Sequence, residues 1–355
     1  MKDLFKDFSP STKDAWVDKV KVDLKGKSIE SLDWRYSDIS FSPFYHQDDQ
    51  TEKRSAILNG KVGNDWIISQ SINTENPHSA NAQALTALNQ GATGLSFEIH
   101  DQNNFKFNNL LKDIQLEWIF TQFILVGIDS LVFTEKLLSY AEGRGFDITK
   151  VKGAIYESKP VKNFDILEIR KGLFPKMKLI KIGANSAKNS LEELTSILTQ
   201  SKNHLKRHNN KRTVADSLLF ELNVNDIYFG NIAKIRALRV LLANLFKAYG
   251  LDDYHTFISV KIRHDHKVED ENYNFIRYNT QALSAVIGGA EMLSIIPPEH
   301  SKGEDFSSRI SLNINHLLQL ESHMNRVSDP SAGSYFIENL TDELCTKAWE
   351  HFQNK

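Results

Sequence analysis

Several of the usual signatures of function are missing from this sequence. It has a single cysteine, Cys345, which excludes an internal disulfide framework and a cysteine-based zinc site and suits a reducing compartment. No stretch approaches the roughly 20 apolar residues of a membrane span, and the opening MKDLFKDFSPS has no apolar core of a signal peptide. Charge of one sign is also lacking. With 43 basic and 45 acidic residues the formal net charge is -2, so nothing steers the chain toward nucleic acid or an anionic membrane. The expectation is a globular protein of the cytoplasm, with neither nucleic acid nor membrane as partner. There is no internal repeat and no low-complexity tract. No G-x-G-x-x-G, P-loop or G-x-S-x-G occurs, which removes the dinucleotide, nucleotide and hydrolase fingerprints.

What is there is a long alternation of apolar runs and helical patterns. Short apolar or alternating runs start near Asp65, Gly94, Glu117, Lys152, Lys176, Ser217, Thr256 and Ala290, between 23 and 41 residues apart. That spacing holds one strand, one helix and two loops, and eight such units predict a closed parallel βα barrel of the TIM type over residues 65–355. A doubly wound open sheet also explains the alternation, but it rarely uses eight strands in one series. Ile235, Leu238, Leu242, Leu245 and Tyr249 predict a helix ended by Gly250. Ile276, Leu283 and Ile287 share a face of the next helix, which the Gly288-Gly289 pair can end. A last helical pair is expected near Phe306 to Met324 and Asn339 to Phe352.

Residues 1–64 read as an N-terminal arm: a helix around Thr12 to Leu24, then a segment mixing turn formers with Trp34, Tyr36, Phe41, Phe44 and Tyr45. Such a segment cannot bury five aromatics by itself, so it should lie on its own barrel or on another subunit.

Two local motifs read best as solvated loops. Arg263-His264-Asp265-His266 ends the seventh strand, and His264 with His266 would suit a metal-dependent hydrolase, but the remaining ligands cannot be nominated. The basic run Lys202 to Arg212 lacks the interleaved aromatics of single-strand binders.

Strand alternation makes the barrel interior look polar. With Leu95, Phe97 and Ile99 outward, Ser96, Glu98 and His100 face in; likewise Ser259, Lys261 and Arg263, and Glu221 with Asn223. Such a lumen either lines a passage for an extended polar ligand or is closed by its own acids and bases. The second possibility predicts a network of Glu98, Glu221, Lys261 and Arg263.

The segments NIAKIRALRVLLANL, NYNFIRYNTQALSAVIGGAEML and DFSSRISLNINHLLQLESHMNRVSDPSAGSYFIENLTDELCTKAW resemble methylmalonyl-CoA mutase, in order and with matching separations. WIISQSINTENPHSANAQALTALNQGATGLSF tracks that family's first βα unit, and DAWVDKVKVDLKGKSIESLDWRY looks like the start of its small (beta) subunits. The resemblance covers nearly the whole chain, thinning between about Asn103 and Arg212. It implies a βα barrel threaded by a CoA ester and capped by a cobalamin domain, and it makes sense of a polar lumen. Ser96, Lys261 and Arg263 would then be the residues that hold substrate.

The same comparison shows four departures. Where the family's catalytic subunits carry a Tyr after the first strand, Gln70 is followed here by Ser71. Tyr156 stands in place of the strand-four Gln, and Asn185 in place of a His at the end of strand five. In the family's G-H-T-Q motif, Gly288-Gly289-Ala290-Glu291 puts a carboxylate at the Gln position, near the expected substrate. No D-x-H-x-x-G occurs to supply a cobalt ligand. The resemblance therefore implies a non-catalytic small subunit that binds no cofactor itself and pairs with a catalytic large (alpha) subunit carrying adenosylcobalamin; in isolation it would self-associate. The alternative is the substrate barrel of an active acyl-CoA mutase whose cobalamin domain is a separate chain.

Overall fold

The computed structural model describes residues 11–49, 63–100, 106–158, 166–184, 186–263 and 270–354. The Thr12 hydroxyl accepts from the Ala15 backbone N–H and so starts α1 (Lys13–Asp23). Ser37 and Asp38, both at positive φ, make the two-residue turn that folds β1 (Trp34–Tyr36) back on β2 (Ile39–Phe41). Tyr36, Ile39 and Phe41 share the buried face of this hairpin. The Tyr36 hydroxyl lies 2.5 Å from the Ser190 hydroxyl. Its ring covers Gly230 so closely that a Cβ there would collide with it. Trp34 and Tyr45 both meet Phe336, and Phe44 stacks on Trp16 at 4.4 Å. The described aromatics of the arm thus find their cover within this chain, mostly on its own barrel.

The barrel strands are β3 (Ile67–Ile72), β4 (Gly94–Ile99), β5 (Phe120–Leu125), β6 (Lys152–Glu157), β7 (Lys176–Lys178), β8 (Ile180–Gly183), β9 (Leu218–Leu222), β10 (Ile258–Ile262) and β11 (Met292–Ile295). The eight expected strands are all present, the fifth in two pieces. β7 pairs with β6, β8 pairs with β9, and between them the Leu179 N–H goes to the Ser217 carbonyl. All pairings are parallel, and β3 lies between β4 and β11, joining the first barrel strand to the last. An open doubly wound sheet would leave those two apart. The fold is a TIM-type α/β barrel.

The surrounding helices are α2 (Pro77–Asn89), α3 (Phe107–Leu110), α4 (Ser130–Gly143), α5 (Ile166–Leu173), α6 (Ser190–Arg207), α7 (Lys211–Ser217), α8 (Tyr228–Lys247), α9 (Tyr273–Ile287), α10 (Glu304–His316) and α11 (Tyr335–Gln353). Asn76, Asp129, Asn189 and Asn210 cap α2, α4, α6 and α7 through their side chains. Gly145, Gly250 and Gly289, all at positive φ, follow the ends of α4, α8 and α9, the last two where the sequence places stops.

Two helical expectations need correction. The apolar face expected on α9 is only partly buried: Ile276 is 64% exposed, whereas Leu283 and Ile287 are half-buried and Leu283 packs against the core; Tyr278, Ala282, Ala285 and Val286 are the fully buried apolar residues, together with Gln281 and Ser284. Ala282, Ser284 and Ala285 let α9 approach the barrel closely, which leaves Leu283 at the margin of the contact and Ile276 outside it. The basic run is not one loop either: Lys202 to Arg207 ends α6 and Lys211 with Arg212 begins α7, burying Leu205 between them. No helix among the described residues is long and apolar enough to cross a membrane.

Charges lock α8 into the outer layer. Lys234 of α8 reaches Glu193 of α6 at 2.6 Å, both buried. Arg236, 1% exposed, binds Asp329, the Ser331 hydroxyl at 3.1 Å and Glu338 of α11 at 2.8 Å. Breaking a buried pair leaves an uncompensated charge. Asp329→Ala is therefore expected to cost about 3 kcal/mol of unfolding free energy, read from denaturant midpoints. Gly230→Ala, which places a methyl against the Tyr36 ring, should loosen the arm alone: limited proteolysis between α1 and β1 becomes faster while the barrel stays intact.

Candidate functional site at the barrel mouth

Period-two alternation sends every second side chain of each strand into the barrel. At the N-terminal end these are apolar. Phe120, Ala154, Tyr156, Leu219 and Met292 form one buried cluster, with Ile67, Ile124 and Phe257 packed against it. Phe120 and Phe257 stack at 5.3 Å. The expectation of a polar lumen therefore fails for its lower half, where Phe120, Leu219 and Met292 point inward, while Glu98, His100, Lys261 and Arg263 lie toward the cleft.

Over this floor sits a polar plug. Gln122 of β5 donates to the Tyr156 hydroxyl of β6 at 2.5 Å. Lys181 of β8 lies 5.6 Å from the Tyr156 ring centroid and pairs with Glu221 of β9 at 2.9 Å. Burial, reinforced by the Glu221 charge, pushes the Tyr156 phenol well above its ordinary range, so it stays neutral and keeps its bond to Gln122.

The expected network of Glu98, Glu221, Lys261 and Arg263 is not the one that forms. Glu221 takes Lys181 as partner, Glu98 lies 3.2 Å from His100, and Lys261 has no ion pair among the described residues. The reason is register. Lys181 is opposite Leu219, one inward position below Glu221, so its long side chain reaches up to the carboxylate. Lys181 and Gln122 were missed in the sequence, although inward parity of β8 and β5 marks both.

Above the plug the lumen opens into a cleft of about 1320 Å³ between the β3–α2 turn, α2 and the segment from β11 into α10. Ser71, Ser96, Glu98, Lys261 and Arg263 all line it, so the three residues expected to hold substrate are brought together with one of the substituted positions. Ser69 and Ser294, aligned in register on β3 and β11, are buried beneath, with hydroxyls that find no partner among the described residues. This is the C-terminal rim, where barrels of this class carry their sites.

The other substituted positions lie elsewhere. Tyr156 belongs to the plug. Glu291 precedes β11 at the opposite end of the barrel, where Arg239 binds it at 2.5 Å and the Ile258 N–H donates to it at 2.7 Å. The expectation that its charge faces a ligand is corrected: it ties α8 to the strand starts. Asn185, His264 and His266 fall outside the described residues. Among those described, no group of three His, Cys, Asp or Glu is placed to hold a metal ion.

Comparison with known proteins agrees with this architecture. The family profile described as Methylmalonyl-CoA mutase matches residues 165–354. The methylmalonyl-CoA mutase small subunit of Porphyromonas gingivalis is 28% identical over 396 residues, covering 98% of this chain and 63% of that one. The small subunit of Propionibacterium freudenreichii subsp. shermanii is 33% identical over 144 residues, 39% of this chain and 23% of that one. Among solved structures, the dihydropteroate synthase of Thermus thermophilus aligns with a TM-score of 0.40 at 11% identity, over 72% of this chain and 94% of that one, too distant to bear on function. The chain spans less than two-thirds of the length of these mutase relatives. With more than half of its residues matched by the family profile, and a barrel fold around them, the chain belongs to the methylmalonyl-CoA mutase family.

Proposed function

We propose that this chain is the non-catalytic small subunit of a heterodimeric, adenosylcobalamin-dependent methylmalonyl-CoA mutase of the cytoplasm, in which a catalytic large subunit interconverts methylmalonyl-CoA and succinyl-CoA. The observation that carries the reading is the filled lumen. An extended thioester needs a passage along the barrel axis, and here the axis is occupied by the aromatic floor and by Gln122, Tyr156, Lys181 and Glu221. Ser71 at the mouth offers no aromatic surface to a reacting acyl group. The small-subunit relatives support the same role.

Adenosylcobalamin, when bound in such an enzyme, supplies the radical that starts the rearrangement. The residues of this chain do not fit it. No D-x-H-x-x-G is present, and the described histidines lining the mouth are engaged: His100 with Glu98, and His300 between Phe275 and Phe306 with Glu271 3.5 Å away. In this reading the cofactor is held by the large subunit. The arm and the outer barrel face would contribute to the subunit contact, with the barrel serving as a rigid support.

The open cleft favours one second reading, a substrate barrel of an active acyl-CoA mutase whose cobalamin domain is a separate chain. Ser96, Lys261 and Arg263 would then hold the anionic thioester. Calorimetry separates the two. The first reading expects no heat of binding from methylmalonyl-CoA up to millimolar ligand, about -4 kcal/mol, while micromolar binding, about -8 kcal/mol, would overturn it in favour of the second. The plug makes its own prediction: Tyr156→Phe removes one buried hydrogen bond and should cost about 1 kcal/mol, and Tyr156→Ala about 3 kcal/mol through the cavity it leaves, both read from urea midpoints.

A further inference from the structure

At the end of the barrel opposite the cleft, the starts of β6 and β7 carry a group of lysines. Lys152 and Lys176 are register partners, both exposed, and neither has an ion pair among the described residues. Lys178 donates to the Asp216 carbonyl at 3.1 Å. Lys171, in the last turn of α5, donates to that same carbonyl at 3.1 Å and to the Met177 carbonyl at 2.9 Å. Two amines thus share one acceptor. Neither has a carboxylate partner among the described residues, and the Asp216 carboxylate is held by Arg212 at 3.0 Å.

This arrangement disfavours the ammonium form relative to that of an exposed lysine. An ammonium group has three protons to place, and Lys171 has two acceptors, both uncharged carbonyls. An NH2 group uses both and keeps its lone pair. Burial, reinforced by the Lys178 charge and opposed by Asp216, lowers the Lys171 pKa to about 8. A desolvated lysine beside a second cation is a general form of activated amine nucleophile. Lys171 is only partly buried, so a reagent has access to this edge of the barrel.

We propose that the Lys171 Nζ is an acylation site for acyl-CoA thioesters. The amine attacks the thioester carbonyl, the N–C bond forms as the C–S bond breaks, and CoA leaves as thiolate. The amine proton passes to solvent and the thiolate is reprotonated, so no oxidant or further reactant enters. The class of donor follows from charge: the CoA phosphates are polyanionic, and Lys152 and Lys176 supply unpaired positive charge on the same rim. The inference is independent of the proposed subunit role.

The test is incubation of the full chain with succinyl-CoA between about pH 7 and about pH 9.5, with the initial rate at each lysine followed by peptide mass spectrometry. Near pH 7.5 Lys171 is expected to react on the order of tenfold faster than the exposed Lys19 and Lys112, since its far larger neutral fraction outweighs its lower basicity. Its rate should level off above pH 8 while theirs continue to climb. In Lys178→Gln the levelling moves to higher pH and the advantage shrinks. A Lys171 rate no greater than that of the exposed lysines, or one that climbs in parallel with theirs, overturns the proposal from the unmodified chain alone, even if the variant does not fold.

Discussion

A ring of parallel strands encloses a space that the chain itself must fill or leave to a ligand, and most of this structure follows from how that space is used. Its base takes large apolar side chains from β5, β9 and β11. Its middle takes a phenol that accepts from an amide, and one ion pair. Only the top, where the strands run out into loops, is left open. The dominant forces change along this axis, from dispersion and apolar burial through charge-assisted hydrogen bonding to solvation. The chemistry available to the protein changes with them.

Much of this was legible in the sequence, and the parts that were not share a cause. Strand number, strand starts and most helix stops depend on local pattern, and Gly145, Gly250 and Gly289 mark ends that the backbone realises at positive φ. Side-chain partnership is not local. Glu221 has two inward cations within plausible reach, Lys261 of β10 and Lys181 of β8, and only the stagger between strands decides for Lys181. Glu291 belongs to a motif that suggests a ligand-facing charge, but it stands just before β11, at the end of the barrel away from the cleft. On α9 the hydrophobic period pointed to Ile276, whereas close packing selected small residues. The recurrent error was to treat a residue type as a role before its height and direction in the barrel were known.

The two rims also differ in electrostatics. At the cleft, acids and bases mix: Glu98 beside His100, Lys261 and Arg263 nearby. At the other end, the Arg239–Glu291 pair lies against the Gly289 carbonyl, and Lys178 near Glu291 donates to a backbone carbonyl. A barrel related to an enzyme is expected to concentrate reactivity at its C-terminal face. Here the lumen below that face is filled, and at the strand starts burial lowers the pKa values of Lys171 and Lys178.

The divided fifth strand has a consequence for how the ring holds together. Around most of the circumference each strand is shared along its length by both neighbours, so tension on one side is carried through to the other. At Leu179 that continuity lapses: β7, three residues long, belongs to β6, and β8, four residues long, belongs to β9. The cylinder is therefore better described as a sheet rolled until its two edges meet on a single strand, with a seam running beside Lys178 and Lys181. Folding can complete every other pairing before that seam closes, and thermal opening there meets two short ladders that do not share a continuous strand.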